Sequence, residues 1–365
     1  MRYVNVCSTM TKINPFMSLI CVLSISLMAC AKQSGATLAE TQLSISTSSL
    51  VFSEKDSAQS VRISTNAGNY EIVVPSGITW CNIQKTGNDL RIGVTGMTSA
   101  LSQRNTVVTV IAGSGSQKVE KTITVSQSRV WKLVWEDDFN TDGPVSSEKW
   151  TLVTKGTPDW KKYMTPSDEL AFVQGGNLIL KARKTATSYE TSGITSANKY
   201  HFKYGKVEVR AKLCAGQGTW PAIWMMPQQS VYGGWPKSGE IDIMEHLNHE
   251  TKVWQVIHSH YVDNLGIKND PPYSSNAPFT VGSFNTYGIE WFPERIDFLV
   301  NGAVTFSYHK KANLPADQLQ WPFDQSFHLI LNLALGGSWV GAINDAILPV
   351  QTEIDHVKVF ALAQY

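Results

Sequence analysis

From residue 43 onward the chain alternates. Short runs of β-branched and aliphatic residues trade places with polar ones at a period of two, and stop at Gly, Ser, Asn or Pro, as strands packed on one face do. Val119, Ile123 and Val125 share one parity against Glu120, Thr122 and Thr124, and Val107–Ala112 is a β-branched run separated from them by Gly113, Ser114, Gly115 and Ser116. These runs predict a hairpin closing a small β-sandwich of 85 residues, Leu43 to Gln127. Further along, Lys206, Glu208, Arg210 and Lys212 alternate with Val207, Val209, Ala211 and Leu213, a half-buried strand with one wet face. More strands are predicted over 177–182, 298–300 and 357–361. No long segment sustains a helical period. An all-β fold is therefore expected, a small sandwich over 42–128 followed abruptly by a larger antiparallel one over 131–365.

Composition narrows the function. The 31 basic and 30 acidic side chains leave a formal charge of +1, with 42% hydrophobic and 17% charged residues. This is a folded, near-neutral chain without the basic surplus that phosphate binding needs, so no nucleic-acid partner is expected. Of 12 Trp, only Trp80 precedes residue 131. Such a step marks two parts built differently, the second using indoles either to fill its core or to line a cleft for a flat ligand such as a sugar ring.

Met17–Ala29 is an apolar run of 13 residues behind Arg2 and Lys12. A membrane-spanning helix takes about 20, so residues 1–29 are expected to be a secretory signal peptide, with Met10 an alternative start. Leu27-Met28-Ala29-Cys30 resembles the bacterial lipobox. That resemblance implies lipidation of Cys30, with residues 30–41 tethering the protein to the bacterial envelope and lipid as its sole membrane contact. Cleavage would remove Arg2, Lys12 and no acid, moving the net charge to about −1. Cys7 and Cys21 leave with the signal, while Cys81 and Cys214 fall in separate expected domains, so no disulfide framework is expected. A monomer is expected.

The segment Trp235-Pro-Lys-Ser-Gly239-Glu240-Ile-Asp242-Ile-Met-Glu245-His246 places three carboxylates within six residues. On a strand, Glu240 and Asp242 project to one face and Ile241 and Ile243 to the other; Glu245 has the wrong parity, unless a β-bulge near Met244 returns it. Acids so crowded push each other's pKa values apart, leaving one protonated as an acid and another ionised. A retaining glycosidase needs such a pair, about 5 to 5.5 Å apart. The competing reading is helical, with Ile241, Met244 and Leu247 on an apolar line and Asp242, Glu245 and His249 on a solvated face. Gly239 before the run and the β-rich stretch Val253–Tyr261 after it favour a strand. The pairs His258/His260 and His246/His249 lack the spacing of a catalytic zinc site. No phosphate loop, nucleophile-elbow serine or C-x-x-C pair is present.

Two resemblances sharpen this reading. Gly77-Ile-Thr-Trp80-Cys81-Asn82-Ile83, Leu90–Val94, Arg104 and Thr122–Gln127 resemble a BACON-type domain, for which a spacer role and sugar binding are both open. Tyr204–Leu213, Gly218–Pro227, Gly239–Glu245, Phe327–Trp339 and Ile354–Phe360 resemble, in order, glycoside hydrolase family 16. This implies a β-jelly roll whose concave sheet forms a glycan cleft, in the bulged, laminarinase-like form of the family's signature. Position by position it implies Glu240 as nucleophile, Glu245 as general acid/base, Asp242 as the assisting acid, and no cofactor for catalysis. Trp220, Trp224 and Trp235 match cleft aromatics, Trp339 is a further candidate, and His260 is a candidate to bond substrate or a catalytic acid. A structural calcium is implied at Gly176 and Asp355. The expected substrate is a β-1,3 or mixed β-1,3/1,4-glucan. The alternatives are an endo-β-galactosidase acting on keratan-like or mucin-type O-glycans or algal galactans, and a catalytically inactive carbohydrate-binding lipoprotein.

Overall fold

The structure is a computed structural model, described here over residues 39–97, 103–314 and 317–362. The signal segment, Cys30 and most of the expected tether lie outside the described residues. Two four-stranded sheets make the small sandwich, and sheets of ten and seven strands make the large one. The expected hairpin is there, Gln103–Ala112 pairing antiparallel with Val119–Ser128. One strand departs from the antiparallel pattern, because Ser49–Phe52 runs parallel to Val119–Ser128.

In the small sandwich the alternating residues Val61, Ile63, Leu90, Ile92, Val108, Val110, Ile123 and Val125 close a core of their own. Trp80 stacks on the Arg104 guanidinium at 4.5 Å. Arg104 Nε in turn donates to Gln127 Oε1 at 2.7 Å, and Gln127 Nε2 donates to the Ser53 carbonyl at 2.8 Å. Three of the residues that carry the BACON-type resemblance, Trp80, Arg104 and Gln127, thus meet at one hub, with a cation over the Trp80 ring. Cys81 and Cys214 are free and buried.

The large sandwich begins where Trp131–Asp137 pairs with the last strand, Val350–Leu362, so the two ends of the domain close on each other. Its strands bury alternate residues between the sheets: Val207, Val209 and Ala211 from one, Ile223, Met225, Ile241, Ile257, Leu329, Leu331 and Leu333 from the other. Trp150, Trp291 and Trp321 fill that core. Burying one face of the seven-stranded sheet leaves the side chains of opposite parity on its other, concave face. The cleft is built there.

Candidate active site

Strand Glu240–Glu245 lies between Thr219–Pro227 and Lys252–His258, which settles the helix-or-strand question in favour of strand. Entry to it requires Gly239, whose φ of 86° suits glycine, and a Cβ there would sit 2.8 Å from Pro322 Cγ. The register shows the extra residue. Asp242 faces Val256 and Glu245 faces Trp254, so three steps on one strand match two on its neighbour. Ile243 and Met244 absorb the surplus by both pointing into the core, where each is fully buried. Glu240, Asp242 and Glu245 are thereby returned to one face.

Indoles hold two of these acids. Trp235 Nε1 donates to Glu240 Oε2 at 2.6 Å, and Trp220 Nε1 donates to Glu245 Oε1 at 3.0 Å. Trp224 shares their face but donates to Asn332 Oδ1 at 2.7 Å. Asn332 is buried beneath that indole. On one side of Glu240 runs a cleft of about 740 Å³, lined mainly by Trp160, Trp224, Trp235, Met226, Val153 and Ile330. Trp160 meets Trp224 edge-on at 4.7 Å. A second aromatic group packs around Trp220, where Trp339 stands edge-on at 5.6 Å and Trp254 lies 6.4 Å from Trp339. Trp235 and Trp339 keep 57% and 43% of their surface exposed, unusual for indoles that have no ligand role.

Histidine requires a correction. His260 does not reach the acids: the strand ends at His258, the next residues turn into a single π-helical turn over His260–Asn264, and His260 Nδ1 pairs with Asn264 Oδ1 at 2.8 Å. His258 is the ring at the site. Its Nε2 lies 3.3 Å from Asp242 Oδ2, a charge contact rather than a well-aligned hydrogen bond, and its Nδ1 lies 3.0 Å from Asp263 Oδ1. A carboxylate oxygen lies against each ring nitrogen, an arrangement that favours the doubly protonated ring. Burial opposes that charge, but Asp242, Asp263 and Glu240 outweigh it and hold the His258 pKa well above the usual histidine range.

The acids are displaced as well. Burial, then the charge of Asp242, raises the pKa of Glu240, against the lowering effects of His258 and the Trp235 N–H. Burial and Asp242 raise Glu245 too, against the Trp220 N–H, and Glu245 is only 7% exposed. Both carboxyls are therefore pushed toward the protonated form, Glu240 to about 8, and of the two it is Glu240 that has a short indole hydrogen bond and His258 nearby to oppose the shift. The proton-linked stability follows. A carboxyl whose pKa is raised in the folded state stabilises the fold at low pH, and that contribution is lost as pH climbs through the raised value. Tm is expected to fall as pH rises from the ordinary carboxyl range to the value of about 8 to which Glu240 is raised, and to fall less in Glu240→Gln, whose side chain cannot ionise; scanning fluorimetry across that range checks it.

Metal readings fare poorly. Donor atoms of Glu240, Asp242 and His258 come within 4.8 Å of one another, but an imidazolium has no lone pair to give. At the expected calcium position, Asp355 Oδ1 pairs with Arg210 at 3.2 Å and Oδ2 with His356 at 2.7 Å. Each carboxylate oxygen thus already has a cationic or imidazole partner, with which a calcium ion at Gly176 and Asp355 would compete.

Clustered acids held by indoles on the cleft face of a jelly-roll sheet are the constellation of a glycoside hydrolase. The chain belongs to glycosyl hydrolases family 16, whose sequence model matches residues 159–356, over half of its length. It is 38% identical to a keratan-sulfate endo-1,4-beta-galactosidase of Sphingobacterium multivorum, over 71% of this chain and 62% of that one. It is 36% identical to a beta-glucanase of Rhodothermus marinus, over 63% and 85%. The solved laminarinase of Rhodothermus marinus superposes with a TM-score of 0.59 at 33% identity, covering 65% of this chain and 99% of that one. An endo-acting O-glycanase structure, from work on mucin breakdown by human gut microbiota, gives 0.57 at 30% identity, covering 63% and 100%.

Proposed function

We propose that this protein is an endo-acting β-glycoside hydrolase that retains configuration at the anomeric carbon. The observation that carries the reading is the bulge, which turns Glu245 back to the face of Glu240 and Asp242. In the first step the Glu240 carboxylate bonds to the anomeric carbon as the glycosidic C–O bond breaks, and the Glu245 carboxyl gives its proton to the departing oxygen. In the second, Glu245, now ionised, takes a proton from water, and the water oxygen displaces Glu240 from the same carbon. Asp242 lies between the two along the strand and against His258 at 3.3 Å; its charge raises the proton affinity of both, and that of His258 lowers it. The chemistry draws on no cofactor. An open trough with exposed indoles suits internal stretches of a long chain better than chain ends.

For the substrate we propose a β-glucan with β-1,3 or mixed β-1,3/1,4 bonds, in keeping with the likeness to the beta-glucanase and laminarinase. A second reading, endo-β-galactosidase, is favoured by one observation: the match to the keratan-sulfate enzyme is both longer and closer than that to the beta-glucanase. Both run on the same acids, and incubation with laminarin, cereal β-glucan, keratan and mucin glycans, with products resolved by mass, separates them. Binding to any of these without product release would instead support a non-catalytic binding protein. We also read 42–128 as a BACON-type spacer and Cys30 as lipidated. Cys30→Ala is expected to move the protein from the membrane to the soluble fraction, and unchanged fractionation would count against the anchor.

A further inference from the structure

The mechanism above leaves Asp263 without a role, although nothing in the fold of the sheet demands a carboxylate there. It sits in the π-helical turn that follows the strand of His258. Its Oδ1 meets His258 Nδ1 at 3.0 Å, and its Oδ2 accepts the Ser259 N–H at 3.0 Å. The turn is itself pinned: Asp263 N–H donates to the Ser259 carbonyl at 2.9 Å, and Ser259 Oγ accepts from Val262 N–H at 3.3 Å, with Ser259 fully buried. The result is a linear series, Asp263, His258, Asp242, in which the ring has a carboxylate on each side.

We propose that Asp263 is a positioning residue of the active site: its carboxylate fixes the orientation and double protonation of the His258 ring, and through that ring holds Asp242 in place beside Glu240. This rests on the reading of Glu240 and Glu245 as the reacting acids. A histidine between two carboxylates cannot rotate without losing both partners, and a ring held as a cation lowers the proton affinity of the acids it faces. The groups that bear on this ring are Asp242, Glu240 and Glu245 from the acid strand and Asp263 from the turn, with Tyr308 near both Asp263 and Tyr261. Trp235, whose ring centroid is 5.8 Å away, covers it on the cleft side.

The test uses the whole protein as Asp263→Asn and Asp263→Glu. Asparagine still accepts the Ser259 N–H but cannot anchor an imidazolium. On a β-glycan that the parent cuts, Asp263→Asn is expected to lose about tenfold or more in kcat with KM nearly unchanged. Its acid limb should move to higher pH by about one unit, because Glu240 facing a neutral ring ionises later. Asp263→Glu should recover part of both. Independently of activity, the ring signals of His258 in a nitrogen-15 NMR titration should show the proton lost at lower pH in Asp263→Asn than in the parent. An unchanged ring titration, or an acid limb that stays put or moves down, overturns the proposal. Full activity in Glu240→Gln and Glu245→Gln would instead overturn the underlying reading, and the ring titration would still judge Asp263.

Discussion

Glu240→Ala and Glu245→Ala are each expected to lower kcat on the natural polymer by about four orders of magnitude, since each removes a group that acts in both chemical steps. The two losses differ in kind, and that difference is the test. With an activated aryl glycoside and added azide, Glu240→Ala has room for azide on the face opposite the leaving group, so the C–N bond forms as the C–O bond breaks and the product is an α-glycosyl azide. Glu245→Ala still forms the covalent intermediate on Glu240, which azide then displaces to give the β-glycosyl azide. The anomeric proton coupling in NMR tells them apart. The same anomer from both variants, or no loss of activity in either, would refute the assignment of roles.

Trp291→Ala is expected to destabilise the large sandwich by about 3–5 kcal/mol, the largest stability effect of any single truncation we anticipate. Trp291 is fully buried, with Phe202, Tyr204 and Phe327 edge-on around it at 5.9, 5.5 and 5.4 Å. Its Nε1–H donates to the Phe323 carbonyl at 3.1 Å, so truncation leaves both a cavity and a buried carbonyl without its donor. In a domain of this size each kcal/mol is worth about 2–4 °C, so a fall in Tm near 10 °C is expected by calorimetry. Trp339→Ala is the control: a half-exposed cleft indole should cost little stability while weakening substrate binding. Equal losses in both variants would mean that the division of the indoles between core and cleft is wrong.

That division was only partly legible in the chain. Composition separated the Trp-rich part from the rest, but Trp150, Trp291 and Trp321 are core and Trp160 belongs to the cleft. Trp160 sits in a turn outside the strands, at Asp159–Lys161, where strand parity has nothing to say. Parity did work for Trp220, Ala222, Trp224 and Met226, which pack on the cleft face while Ile223 and Met225 go to the core. It also showed that Glu245 needs a bulge near Met244 to join the other acids, and the register shifts between Asp242 and Glu245. It failed for the H-x-H pair because the strand stops at His258, and a period of two has no meaning beyond the last paired residue. Asp263 left no mark at all: a π-helical turn has no sequence signature, and its carboxylate is recognisable only once the ring beside it is placed. Asp355 shows the converse, a position matched to a family pattern whose partners here are Arg210 and His356.

The bulge has a genetic consequence. Elsewhere in a paired strand, losing one codon turns every later side chain to the wrong side of the sheet. Between Asp242 and Glu245 the surplus residue is already looped out of the pairing, with Ile243 and Met244 both inward. Removing the Met244 codon would leave Glu-Ile-Asp-Ile-Glu, a regular alternation with all its acids still together. This is the one stretch of the catalytic strand where gene length can drift by a codon while the chemistry keeps its side.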